Sequence, residues 1–197
     1  LDAAGNDFTG AVSITSGDNV TLVDTNALVL GASNISGALD ATASGGDISQ
    51  TGAITVDGAA DFTAPNGNDI LLGEANTFNS TVSFLSGGTL VNVTVQDTTA
   101  FAVEALTITG LLDITAPSID VTGAVSADSI DFDATVGAGA ITDTGGSVDV
   151  ATTSTLAAQV GDAITLDAAG NDFIGAVSIT SGGNVTLVDT NAIILGA

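Results

Sequence analysis

The sequence predicts an all-β chain, a right-handed parallel β-helix (β-solenoid) built from tandem repeats, and three observations carry that reading. The first is repetition. LDAAGNDFTGAVSITSGDNVTLVDTNALVLGA at 1–32 returns as LDAAGNDFIGAVSITSGGNVTLVDTNAIILGA at 166–197, so that Leu1 corresponds to Leu166. The copies differ only at Thr9/Ile174, Asp18/Gly183, Leu28/Ile193 and Val29/Ile194. The second is alternation: apolar side chains recur at every second position in short bursts, the period of a strand. The third is what separates the bursts, namely turn formers such as SGDN (16–19), DTN (24–26), SGG (44–46), PNGND (65–69) and LSGG (85–88).

Taken in order, residues 1–32 place Val12, Ile14, Val20, Leu22, Leu28 and Leu30 on one face, the expected inner column of the first coils. Leu39 and Ala41, Ile54 and Val56, and Ile70 and Leu72 continue the alternation. DTTAFAVEAL (97–106) is the nearest approach to a helix, but Thr98 and Thr99 make it a poor start, and Gly or Asn interrupts the other windows. A weaker repeat is nested in the first: 46–78 resembles 139–173, with Gly46 opposite Gly139, Ile70 opposite Ile164 and Asn76 opposite Asn171. The offset grows along the match, so length changes fall in loops. The expected organisation is one full unit at 1–165, with sub-repeats at about 1–70 and 71–165, and the start of the next unit at 166–197, all in one continuous solenoid. A sandwich is the competing architecture. It closes on itself, whereas here the tail repeats the head and is expected to continue as the head began. Coils of roughly 20–25 residues, each rising about 4.8 Å, are expected.

Composition narrows the chemistry. The chain is 45% hydrophobic, enough for a sizeable core, yet has 23 acidic residues, no Lys, Arg or His, and a net charge of −23. Cys, Met, Trp and Tyr are absent as well. Without His, Cys or Lys the usual neutral-pH base, thiolate and Schiff-base amine are missing, and only hydroxyls and carboxylates remain. Paired carboxylates can cleave glycosides, but no Trp, Tyr, Arg or Lys is present to hold a sugar; the expectation is a protein that is not an enzyme. Without cysteine, stability must come from packing and hydrogen-bonded ladders, which suits an exported chain. Nucleic acid and anionic lipid are repelled. The longest apolar runs, such as ALVLGA and ITGLL, fall far short of the roughly 20 residues that span a bilayer, so no membrane insertion is expected.

The run GNDFTGAVSIT…NVTLVDTNALVLGASNISGALDATASGGDISQTGAITVDGAADFTA resembles the repeats of very large bacterial surface proteins of the filamentous haemagglutinin and repetitive adhesin type. The likeness is strong over 1–84 and 139–197 and weak over 85–138. It implies a secreted or cell-surface β-helical stalk for adhesion, biofilm matrix or fibre formation, and it carries no catalytic residue. A glycan- or receptor-binding adhesin module is the alternative, with residues 85–138 as the segment that differs between repeats.

Charge is the sharpest functional clue. At roughly 22 residues per coil and about 4.8 Å rise, the chain would carry one negative charge per roughly 2 Å, close to the line density of duplex DNA, which condenses counterions. Divalent cations, calcium first, are the expected partners, together with copies of the chain end to end or side by side in a fibre. The candidate ligands are Asp7 and Asp172 in the two GND turns, Asp24 and Asp189 in the two VDTN segments, and the cluster Asp128, Asp131 and Asp133 in ADSIDFDA. Asp131 and Asp133 fall on one face of a strand. Asn6, Asn76 and Asn171 each stand two residues before a Phe (Phe8, Phe78, Phe173), a pattern expected to be structural: the amide is free to stack on an equivalent residue while the ring fills the column.

Overall fold

Val, Ile, Leu and Phe at alternate positions point inward and most Asp, Ser and Thr outward, and the result is short strands joined by turns. The computed structural model describes all 197 residues and has 22 strands and no helix. Its strands pair in parallel, each with strands from neighbouring coils. A parallel pair needs a crossover connection, for which right-handed winding is the rule. The chain divides into two compact units, Leu1–Thr98 and Thr99–Ala197.

In the first unit each coil has three short walls. One wall stacks Val20–Asp24, Leu39–Ala43, Ala60–Ala64 and Val82–Ser86. A second stacks Leu28–Leu30, Ile48–Gln50, the start of Ile70–Phe78, and Val93–Asp97. The third stacks Ser33–Ile35, Ile54–Val56 and the end of Ile70–Phe78. Side chains in register on the inner face form columns: Leu22, Ala41, Phe62 and Phe84 lie on one line. Phe62 is fully buried, stacked on Phe84 at 6.3 Å and edge-on to Phe78 at 5.9 Å. Such ring pairs add about 0.5–1.5 kcal/mol beyond area burial.

The second unit repeats the plan. Phe101–Val103, Ile119–Val121, Ile141–Thr142, Ile164–Leu166 and Val185–Leu187 form one wall. Leu111–Thr115, the second half of Ala124–Ala134, the second half of Ser147–Ala158, and Ala176–Ser181 form another. Leu106–Thr107, the first halves of the same two long strands, and Asp172–Phe173 form the third.

Two expectations need adjustment. Coil length varies more widely than expected: Phe101 is the register partner of Ile119 and Leu111 that of Ser129, coils shorter than the expected range, whereas Ser129 is the partner of Thr153, a distinctly longer one. Shortening a corner leaves the wall in register, because only the strands are paired. In the inner column, Leu22, Leu28 and Leu30 are buried, but Val12, Ile14 and Val20 are only half-buried. Residues 1–19 form isolated bridges, Val12 with Leu30 and Gly17 with Ile35, and are covered from one side only.

Corners bring main chains into contact, and there glycine is required by space. At Gly175 a Cβ would lie on Thr152 O, and at Gly146 on Gly123 O. Gly67 in the PNGND turn has φ +79°, the left-handed region that favours glycine.

Candidate functional site

With no cationic side chain in the sequence, every carboxylate must find neutral donors or water, and the structure shows how. The Asn-x-Phe pattern is half of a two-coil motif whose other half is Asp-Thr. The Phe8 amide donates to Asp24 Oδ2 (3.3 Å), the Phe78 amide to Asp97 Oδ1 (3.3 Å) and the Phe173 amide to Asp189 Oδ1 (3.3 Å). In the same three corners the amides of Thr25, Thr98 and Thr190 donate to the carbonyls of Asn6, Asn76 and Asn171 at 2.9, 2.8 and 2.9 Å. Asp24 and Asp97 end their strands pointing inward, Asp189 lies two residues past Val185–Leu187, and each accepts the Phe amide of the coil before. Asp24 is fully buried and Asp97 nearly so.

The Asn side chains complete the corner. Fully buried Asn76 accepts from Gln50 Nε2 (2.8 Å) and the Ile54 amide (2.9 Å), and donates to Gln50 Oε1 (2.9 Å), Leu72 O (3.1 Å) and Gln96 O (3.2 Å). Asn171 accepts from the Val148 amide (2.9 Å) and donates to Asp143 Oδ2 (2.7 Å). The stacking partners are thus Gln50 and Asp143, not equivalent asparagines, because the nested repeats differ in length and the next Asn falls elsewhere.

The outward carboxylates form rows. Asp7 Oδ1 accepts from Asn26 Nδ2 (3.0 Å), and its copy Asp172 accepts from Asn191 Nδ2 (2.7 Å). Asn26 also donates its amide to Asp24 Oδ1 (3.2 Å), so Asp7 and Asp24 meet through one asparagine; Asp172 and Asp189 do the same through Asn191. Asp128 is exposed at the register shift within Ala124–Ala134 and accepts from Thr152 Oγ1 (3.1 Å). Asp131 and Asp133 lie on the outer face as the alternation predicts.

The residue that sequence reasoning missed is Asp113. A short coil sets it in register with Asp131, with Thr115 opposite Asp133. Partial burial raises the Asp113 pKa above its ordinary 3.8, and the carboxylates of Asp131 and Asp133 raise it further. Burial and then Asp133 raise that of Asp131. Asp120 shows the opposite balance: burial works to raise its pKa, but bonds from the Thr144 hydroxyl and amide and from Thr142 outweigh it, so the net shift is downward. Asp40 and Asp61, and Asp149 and Asp172, are further in-register pairs.

These carboxylates are strung along walls rather than turned toward one point, and no set of three or more forms a group able to hold a metal ion. A calcium ion takes six to eight oxygens, so the rows fit a cation shared with water and neighbouring carboxylates better than a closed cage. A shallow groove lined by Ile14, Thr15, Ala32, Ser33, Asn34 and Ala53 carries no titratable side chain.

A family model described as repeats of unknown function matches residues 17–85 and 128–180, well over half of the chain. The matched segments contain much of the nested pair that the sequence relates to each other, and both wind into the same three-walled coils. No curated protein and no solved structure matches the chain. By the extent of that match the chain belongs to the family of repeats of unknown function, DUF5649.

Proposed function

We propose that the chain is a structural segment of an extracellular bacterial fibre or adhesin stalk, acidic and cation-binding, used in cell-surface adhesion or biofilm matrix. One observation carries the reading: in each unit the inner face is an apolar column, while the outer carboxylates are held row on row by asparagine, threonine and main-chain donors of the next coil. Such a wall transmits force through hydrogen bonds and leaves a lattice of negative charge outside. Its work is mechanical rather than catalytic. Two unit charges about 4 Å apart repel by about 1 kcal/mol even in bulk water, so rows such as Asp113 and Asp131 favour the uptake of divalent cations, calcium among them, within one wall or between neighbouring walls.

The alternative, a glycan- or receptor-binding module, is favoured by one feature. Residues 86–127 fall between the two matched segments and contain Asp113, so the most crowded carboxylates border the part of the chain that departs from the repeat. Thermal melting and light scattering in calcium and in EDTA test the first reading. Calcium is expected to raise the melting temperature or bundle the protein and EDTA to reverse it; identical melting and scattering in both would refute a cation-dependent fibre.

A further inference from the structure

We propose that Asn66 is a covalent modification site: when its corner opens, its side-chain amide is lost to the Gly67 nitrogen through a succinimide, and Thr89 of the next coil holds that reaction in check. The inference goes beyond the fibre reading and does not depend on it. Asn66–Gly67 is the only Asn-Gly pair in the chain. Glycine leaves the following amide nitrogen without a side chain to crowd it, and Asn is among the thermolabile residues. Both residues are exposed at the tip of the corner that joins Ala60–Ala64 to Ile70–Phe78, where water and hydroxide reach them.

In the closed corner one residue restrains both reacting groups. The Gly67 amide, the nucleophile, donates to Thr89 O (2.9 Å), and the Thr89 amide donates to Asn66 Oδ1 (2.9 Å). The Asn66 side chain lies against Gly88, where a Cβ would collide with its amide group. Asn68 ties the turn from the other side, its amide donating to Pro65 O (3.3 Å) and its side chain to Asn66 O (3.3 Å). Attack requires the Gly67 nitrogen to give up its proton and meet Asn66 Cγ. Neither is open to it while its N–H is bonded to Thr89 O. Separation of Thr89 from the corner frees the nitrogen and the side chain together.

The steps then balance. Hydroxide takes the Gly67 N–H proton, and the nitrogen bonds to Asn66 Cγ. The Cγ–Nδ2 bond breaks, and the departing nitrogen takes up a proton from water and leaves as ammonia. Water opens the ring at one carbonyl or the other and gives aspartate or isoaspartate. Either product adds a negative charge to a chain that carries −23. Isoaspartate also adds a methylene to the main chain, so Gly67 no longer meets Thr89 O in the original pairing. A brief opening thus leaves a permanent mark at this corner.

The test incubates the whole chain at neutral pH, folded and in urea, and follows Asn66 by mass spectrometry of the peptide that spans the corner, with aspartyl and isoaspartyl products separated. Amide exchange at Gly67 measures the same opening. Deamidation is expected to be slower in the folded chain than in urea by about tenfold or more. It is expected to be slowed by the same factor as Gly67 exchange, since one opening equilibrium limits both. Gly88→Ala pushes the Asn66 side chain off Thr89, and Thr89→Pro removes the donor to Asn66 Oδ1; each is expected to speed deamidation in the folded chain. Equal rates in the folded chain and in urea overturn the proposal, as does a slowing unlike that of Gly67 exchange. So does a variant that keeps the parent's melting curve and the parent's deamidation rate. If either variant fails to fold, the comparison within the parent chain decides.

Discussion

Replacing Asn76 by aspartate changes one amide group, yet it is expected to be among the costliest single substitutions in the first unit. The carboxylate keeps the two accepted bonds, from Gln50 Nε2 and the Ile54 amide, but turns an oxygen toward Gln50 Oε1, Leu72 O and Gln96 O. Gln50 cannot flip to compensate without giving up the Glu74 amide, which donates to its Oε1 at 3.0 Å. The three donated bonds lost, to Gln50 Oε1, Leu72 O and Gln96 O, cost about 0.5–1.5 kcal/mol each, before the repulsion of oxygen facing oxygen and the cost of burying a charge at a fully buried position. For a cooperative unit of up to about 100 residues that lowers the melting temperature by at least about 10 °C. Burial raises the folded-state pKa of the new carboxyl above its unfolded value of about 3.9. The charge penalty is therefore absent below that value and is imposed in full as pH rises through the folded pKa. The assay is thermal melting by circular dichroism at neutral pH and at about pH 3, each against the parent at the same pH, with amide exchange at Ile54 as the local readout. Asn6→Asp is the control: Asn6 is half-buried and donates only to Leu1 O (2.8 Å) and Val23 O (3.3 Å), so its loss is expected to be small. Equal losses at Asn6 and Asn76, or a deficit at Asn76 that acid does not reduce, would refute the reasoning.

Two further outcomes follow from the same geometry. Gly175→Ala drives a methyl into Thr152 O and is expected to open the corner and lower the melting temperature, while Gly10→Ala, the same substitution in the near-identical segment, is neutral; equal effects in the two copies would contradict the packing. Asp131→Asn removes one of two like charges in register, a change worth about 0.2–1 kcal/mol in a cross-strand pair, reduced by solvent. The raised pKa values of Asp113 and Asp131 mean that their favourable contribution is present below 3.8 and lost as pH rises through their folded values. The substitution should thus stabilise the chain at neutral pH and give nothing in acid, as read by urea unfolding at both; a gain that persists in acid would contradict the pairing.

Much of the wall structure was legible because a strand's period of two is local. Val, Ile and Leu alternation and the Gly-, Asn- and Asp-rich corners mark the strands without reference to the rest of the chain. What depends on coil length was not legible. Asp113 meets Asp131 only because that coil is short; the following one, from Asp131 to Thr155, is longer and brings a threonine to the same place. Asp24 and Asp189 were candidate cation ligands because VDTN reads as a turn, but Asp24, the last residue of its strand, answers the amide of Phe8, and Asp189, two residues past its strand, that of Phe173. The third copy of that motif, Asp97 and Thr98, was visible as an Asp-Thr pair. It stands further beyond Asn76 than Asp24 does beyond Asn6 or Asp189 beyond Asn171, so strict periodicity passed over it. The buried role of Asp143 had no local signal, since its partners Asp167, Ala168 and Asn171 all lie one coil further on.

The central claim is that successive coils stack in parallel and in register. The chain has no cysteine, so a pair can be introduced without background. Thr42 and Thr63 are register partners, both half-buried, and parallel neighbours lie about 4.8 Å apart, within the range a disulfide spans. Thr42→Cys with Thr63→Cys is predicted to oxidise quickly and raise the melting temperature. Thr42→Cys with Asp61→Cys, two positions out of register, is predicted to stay reduced under the same conditions. Equal oxidation of the two pairs, or preference for the second, would contradict the account.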